Sequence, residues 1–268
     1  MKRRWNEFWF APVSAEPLGI FRILYSLVVL YHWARRFPHV PELFSTEGWH
    51  SPYLAYTWGH EIARPSPQVA YAVYATLLLA ALLFLVGWRT RLANFVLLVC
   101  YATLDLVESN NIKAYDRVMM LEAALMLMAS PGAAFSLDSL RARARGDPLL
   151  AGVEAVRPVY GQRLLYCLFS AVYFFVGIKK ALFIPHWHDG GVLLMAMLDR
   201  RNGLTSMGIF LTGVPWLVML LAQATWIWQV LFPVMVAYRR IAPWWLLFGV
   251  GLHLGIESTI DVGPFNAI

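Results

Sequence analysis

Long apolar runs constrain this chain more than any other feature. A helix that crosses the hydrocarbon core of a bilayer needs roughly 20 predominantly apolar residues. Seven segments meet that need: 17–36, 67–88, 92–109, 114–132, 157–182, 214–238 and 243–262. In lipid, backbone groups must be satisfied within the segment, so runs of this kind fold as helices. The charge content agrees. Only 14% of the 268 residues are charged, against about 25% in a soluble domain. The expected fold is an all-α integral membrane protein, a polytopic bundle of about seven transmembrane helices with interfacial helices beside them. It is read as one transmembrane domain, 1–268.

The remaining segments fit around that bundle. Residues 191–212 are apolar but broken by Asp199, Arg200, Arg201 and Asn202, which reads as a surface-lying or re-entrant piece. Residues 135–149 form a basic linker. The loop 37–66, rich in Pro, Trp and His, is expected to pack over one mouth of the bundle. The opening MKRRWNEFWF reads as a basic, Trp-rich interfacial segment rather than a secretory signal. Cys100 and Cys167 lie inside apolar runs and read as small packing residues, not a disulfide framework.

The net charge of +6 bears on orientation rather than on nucleic acid, for which no partner role is expected. The short basic loops GWRTR and AYRRIAP read as inner turns. They put the N-terminus in the cytoplasm and the C-terminus outside.

With that topology, the unusual polar residues gather in the outer half of the bundle. His253 and Glu257 are spaced i,i+4 and share one helical face. Gly251 and Gly255 point to the opposite face, where a small-xxx-small pair favours close packing on a neighbouring helix. Lys179 and Lys180 end the fifth run, while Asp105 and Arg117 stand on either side of ESNNIKAYD, whose last residue is Asp116. Each has a plain structural reading: lysines that snorkel to the interface, a buried His–Glu pair, an Asp116–Arg117 ion pair, and Asn110 and Asn111 as turn formers. His186 and His188, with His39, His50 and His60, match no helical ligand pair, so no metal site is expected. What favours function is convergence, because ionisable groups are expensive in lipid and several meet at one depth.

Several stretches carry a family resemblance. EPLGIFRILYSLVVL, with Arg22, resembles the first helix of the HTTM ("horizontally transferred transmembrane") family, and GWRTRL resembles its short second turn. VYFFVGIKKALFIPHWHDGGVL resembles the stretch where a helix ends in a Lys pair, followed by a Trp and a Gly. The closing FPVMVAYRRIAPWWLLFGVGLHLGIESTIDVGPF resembles the last helices with their membrane histidine. The family includes the membrane part of vitamin K-dependent gamma-glutamyl carboxylase, and bacterial single-domain proteins involved in maturing secreted peptide toxins.

The resemblance implies a set of roles. Lys180 matches the lysine taken to deprotonate vitamin K hydroquinone, and His253 matches the late membrane histidine. Asn110 and Asn111 match the first two residues of the family's Asn-Asn-His, whose third position is Ile112 here. Asp116, Glu257 and Lys179, taken from the polar cluster rather than from the resemblance, complete the candidate substrate- and cofactor-binding set. The implied cofactor is a reduced quinone resembling vitamin K hydroquinone. The implied partners are membrane lipid and a secreted peptide or an extracytoplasmic protein subunit, since the sequence stops at Ile268 without the carboxylase's lumenal part. The implied location is the bacterial inner membrane.

The chemistry is consistent with a lysine role. In a water-poor pocket an ammonium loses solvation, and a neutral amine can act as a general base. A close Glu257 would turn the lysine into an ion pair instead. Two functions follow: a carboxylase-like enzyme that modifies a secreted peptide or small molecule at the extracytoplasmic side, or a non-catalytic membrane subunit or lipid-binding scaffold.

Overall fold

The computed structural model describes residues 2–48, 63–107, 114–146, 156–199 and 204–260. They fall into two compact units, one running to Leu165 and the other starting at Tyr166.

The first unit opens with α1 (Lys2–Phe10), whose Trp5, Phe8 and Phe10 are exposed while Arg3 pairs with Glu7 at 2.9 Å. Aromatic and basic residues on one short helix suit the membrane–water boundary. Next comes β1 (Pro12–Ser14), which pairs antiparallel with β2 (Val156–Pro158), Val13 opposite Arg157. This small ladder lies within an otherwise helical chain. Then follow α2 (Glu16–Ala34), a 3₁₀ turn (Phe37–His39), α3 (Val40–Phe44), α4 (Pro67–Val86), α5 (Thr90–Val107), α6 (Ala114–Met128) and α7 (Leu137–Ala144).

Helices α2, α4, α5 and α6 enclose the core, and α3 covers α4. Trp33 sits at its centre, fully buried, with its ring 4.7 Å from that of Tyr101 and 5.2 Å from that of Tyr74. Polar groups in the core are bonded across helices. Tyr74 Oη donates to the Trp33 carbonyl at 2.6 Å, Tyr25 Oη to the Met119 carbonyl at 3.0 Å, and Asn94 Nδ2 to the Ala123 carbonyl at 2.8 Å. Arg22, wholly buried, donates to the carbonyls of Pro131 and Phe135 and so ties the turn after α6 to α2. A buried polar group left unsatisfied in hydrocarbon costs several kcal/mol, roughly, which is why an arginine in the first apolar run needs these carbonyls.

Two chain reversals show how sequence sets geometry. Helix α4 stops at Gly87, whose left-handed φ of 68° lets its N–H reach the carbonyls of Leu83 and Phe84. A side chain there would collide with Ser136 and with the Arg22 guanidinium. The segment 135–149, read as a linker, contains a helix. Ser136 caps α7 by accepting from the Ser139 N–H at 2.9 Å, and Leu, Ala and Arg are strong helix formers.

The second unit holds most of α8 (Tyr160–Leu182), then α9 (Gly191–Leu198), α10 (Ser206–Thr212), α11 (Pro215–Ala237) and α12 (Ala242–Thr259). The apolar piece 191–212 is indeed broken, into α9 and α10. Thr205 caps α10 by accepting from the Gly208 N–H at 2.9 Å and donates to the Thr259 carbonyl at 3.0 Å, which fastens α10 to α12. Trp228 lies over Gly249 and donates to the Trp245 carbonyl at 2.9 Å, joining α11 to α12.

Among the described residues five helices are long and apolar enough to cross a membrane: α2, α4, α5, α8 and α11. Of the other two expected spans, α6 has 15 residues, and α12 has 18 with His253 and Glu257 among them. The faces turned outward are apolar as well. Leu24, Leu27, Leu79, Leu82, Phe95 and Val99 are all exposed. On a soluble protein so large an apolar surface is a liability, whereas lipid covers it. The chain is an all-α membrane protein.

Candidate functional site

Helix α8 carries Lys180 two residues before its end. Successive helical residues diverge by about 100°. Lys179 accordingly points out and is exposed, while Lys180 turns inward and is half-buried. It lines a cavity of about 580 Å³ bounded by α9, α10, α11 and α12. Apart from Lys180, the described lining is aliphatic and aromatic with the hydroxyls of Thr225, Ser258 and Thr259. Lys180 is the one ionisable side chain among those lining residues. Among the described residues no carboxylate pairs with it.

The loop after α8 places a partner for the amine. Nζ of Lys180 stands 4.3 Å from the centroid of the Trp187 ring. Trp187 is held by its Nε1, which donates to the Ala222 carbonyl on α11 at 3.0 Å. Gln223 Nε2 donates to the His188 carbonyl at 2.7 Å, and His188 Nε2 meets the Ala181 carbonyl at 2.7 Å. Asp189 closes the loop against His186 Nδ1 at 2.9 Å and the Gly191 N–H at 2.8 Å. The His186 contact first, then that N–H, hold the Asp189 carboxyl below the usual carboxylate range. The Pro-His-Trp-His-Asp stretch is thus a clamp that sets Trp187 against α11. Among the described residues no group of His, Cys, Asp and Glu could hold a metal ion.

Helix α12 presents its glycine face to the cavity. Gly251 and Gly255 line it, and a Cβ built on either meets nothing within 4 Å. This corrects the expected close packing of the two glycines on a neighbouring helix: the missing side chains leave cavity space. The face with His253 and Glu257 does not contribute to the described lining. His253 Nε2 lies 3.2 Å from Tyr173 Oη, beside the Trp228 ring, and Glu257 is exposed. Gly177 admits α11 closely, since a Cβ there would stand 2.8 Å from the Val230 nitrogen.

Asp116 belongs to the first unit and is wholly buried. Its Oδ1 accepts from Tyr101 Oη at 2.9 Å and lies 2.7 Å from His32 Nε2, a close contact without the angle of a linear hydrogen bond. Arg36 reaches Oδ2 at 3.9 Å. Arg117 pairs with Asp105 at 3.4 Å, so the expected Asp116–Arg117 pair is replaced by two separate contacts. Sequence reasoning passed over His32, although a histidine inside an apolar run was signal enough. Asn110 and Asn111 lie outside the described residues.

A helical bundle clad in apolar residues, with a cavity whose described lining holds a single amine, defines a polytopic membrane protein. The chain belongs to the HTTM domain family, which matches residues 10–267. It is therefore a membrane protein related to the carboxylase family. No curated protein and no solved structure matches it.

Proposed function

We propose that this protein is a carboxylase-like membrane enzyme that binds a quinone-like lipid in the cavity of the second unit, with Lys180 as general base. The observation that carries the reading is the setting of Lys180, an amine in an otherwise apolar cavity and without a carboxylate partner among the described residues. The residues fit such a ligand. The aliphatic lining and the glycine face of α12 suit a flat ring and an isoprenoid tail. Ligand sites of this kind are mostly apolar with few polar groups.

A bound reduced quinone would supply an acidic hydroxyl and the reducing electrons. Lys180 Nζ receives the proton, and the Trp187 ring orients the amine and supports its charge once protonated. The apolar walls keep water from competing for the amine. The modified molecule, in this reading, is a secreted peptide or small molecule met at the extracytoplasmic side, with a separate protein subunit to present it.

One observation favours a scaffold that binds lipid without chemistry: His253 does not share the described cavity lining with Lys180. Identification of the lipid that co-purifies with the protein separates the outcomes. A stoichiometric isoprenoid quinone, displaced in a Gly251→Leu variant, is the expected result. Ordinary phospholipid alone in that cavity would rule out the quinone reading.

A further inference from the structure

At the turn from α4 to α5, with no residue in common with the lysine cavity, arginines from two separate segments converge. Arg89 and Arg91 come from the turn and the first residues of α5, and Arg157 comes from β2. They border a notch of about 570 Å³ that residues 130–133 also line. Among the described residues none of the three forms an ion pair.

Asp138 also borders the notch, but its oxygens are engaged. Oδ1 accepts from the Arg89 N–H at 2.9 Å, and Oδ2 accepts from the Thr90 N–H at 2.7 Å and from its hydroxyl at 2.6 Å. Those bonds also hold Arg89 at a left-handed φ of 45°, which an ordinary residue adopts only under constraint. The Arg89 guanidinium rests against the Trp88 ring, 5.5 Å from its centroid. The turn is fixed in a shape that keeps positive charge at the notch.

The surroundings indicate what the charge meets. The notch lies at the turn between α4 and α5, two helices long and apolar enough to cross a membrane. Leu92, on its rim, begins an exposed apolar stripe that continues along α5 through Phe95 and Val99. Spacings of three and four residues put them on one helical face. A soluble anion has no use for that stripe, and an acyl chain does. Guanidinium forks match phosphate oxygens, and basic pockets at span ends receive anionic headgroups.

We infer that this notch binds the phosphate of an anionic glycerophospholipid, with one acyl chain laid along the Leu92–Phe95–Val99 face of α5. The test uses the full-length protein, delipidated in mild detergent, with its thermal midpoint followed as lipid is added in mixed micelles. Phosphatidylglycerol raises the midpoint, while phosphatidylcholine and inorganic phosphate do not. In Arg91→Gln/Arg157→Gln the phosphatidylglycerol needed for half the shift rises roughly tenfold or more. Arg145→Gln, outside the notch, leaves it unchanged. Should the double variant fail to fold, native mass spectrometry of Arg157→Gln reads retained phosphatidylglycerol, which falls. An unchanged lipid response in the variants, or an equal shift from inorganic phosphate alone, overturns the assignment.

Discussion

Nζ of Lys180 lies 4.3 Å from the centroid of the Trp187 ring, and Trp187 is itself anchored to the Ala222 carbonyl of α11. The amine is therefore positioned by a residue seven places further along the chain, through a loop clamped on another helix. A cation–π contact of this kind contributes about 0.5–2 kcal/mol, equivalent to roughly two- to thirtyfold in rate. Trp187→Leu is expected to lower turnover of a reduced naphthoquinone within that range, with Trp187→Phe losing less. Membrane turnover, normalised to the amount of folded protein, measures both.

The glycines of the second unit should respond in opposite ways. Gly255→Ala has open space and gains helix propensity, so its thermal midpoint should hold or rise. Gly255→Leu should fold but lose bound lipid, because the side chain occupies the cavity. Gly177→Ala forces α8 away from α11 and should lower the midpoint. Thermal unfolding and lipid quantification on the three variants check this together.

Acid should weaken the α4–α5 turn through Asp138. Burial pushes this carboxyl up, but the Thr90 hydroxyl, the N–H groups of Thr90 and Arg89, and the charge of Arg141 outweigh it, and the carboxyl sits below the usual range. A folded-state value below the unfolded one of about 3.9 means that its stabilisation is complete above that pH. It is lost as pH falls through the lower, folded value. Asp138→Asn should flatten that part of a midpoint-versus-pH curve and lower the midpoint at neutral pH.

Asp116 is expected to matter for folding. Asp116→Asn disturbs the contacts with Tyr101, His32 and Arg36 and should destabilise by about 1–3 kcal/mol, read as a lower thermal midpoint. Turnover per folded molecule should persist, because its contacts with Tyr101, His32 and Arg36 involve no described lining residue of the lysine cavity.

The membrane class was legible because the apolar runs dictate it, and the break at 199–202 announced the short helices α9 and α10. The family resemblance singles out Lys180, but periodicity alone says only that Lys179 and Lys180 diverge and not which of them turns inward. Spacing also said that His253 and Glu257 share one face of α12 and that Gly251 and Gly255 share the other. It could not say which face meets the cavity, since that depends on how α12 packs on α10 and α11. His32 and Asp116 are 84 positions apart, and no local pattern links them. The three-residue strands β1 and β2 are too short to leave a periodic trace.

The central claim is that Lys180 does chemistry and its neighbour does not. The most direct measurement is turnover of a reduced naphthoquinone in native membranes by Lys180→Ala, Lys180→Arg and Lys179→Ala, each matched for membrane-inserted protein. General-base catalysis contributes roughly 10²–10⁴-fold, so Lys180→Ala should lose about that much. Lys180→Arg should fail alike, since a guanidinium stays protonated and cannot accept a proton. Lys179→Ala should stay close to the unaltered protein. Equal tolerance of alanine at both positions would show that the pair is a membrane anchor and would contradict the account.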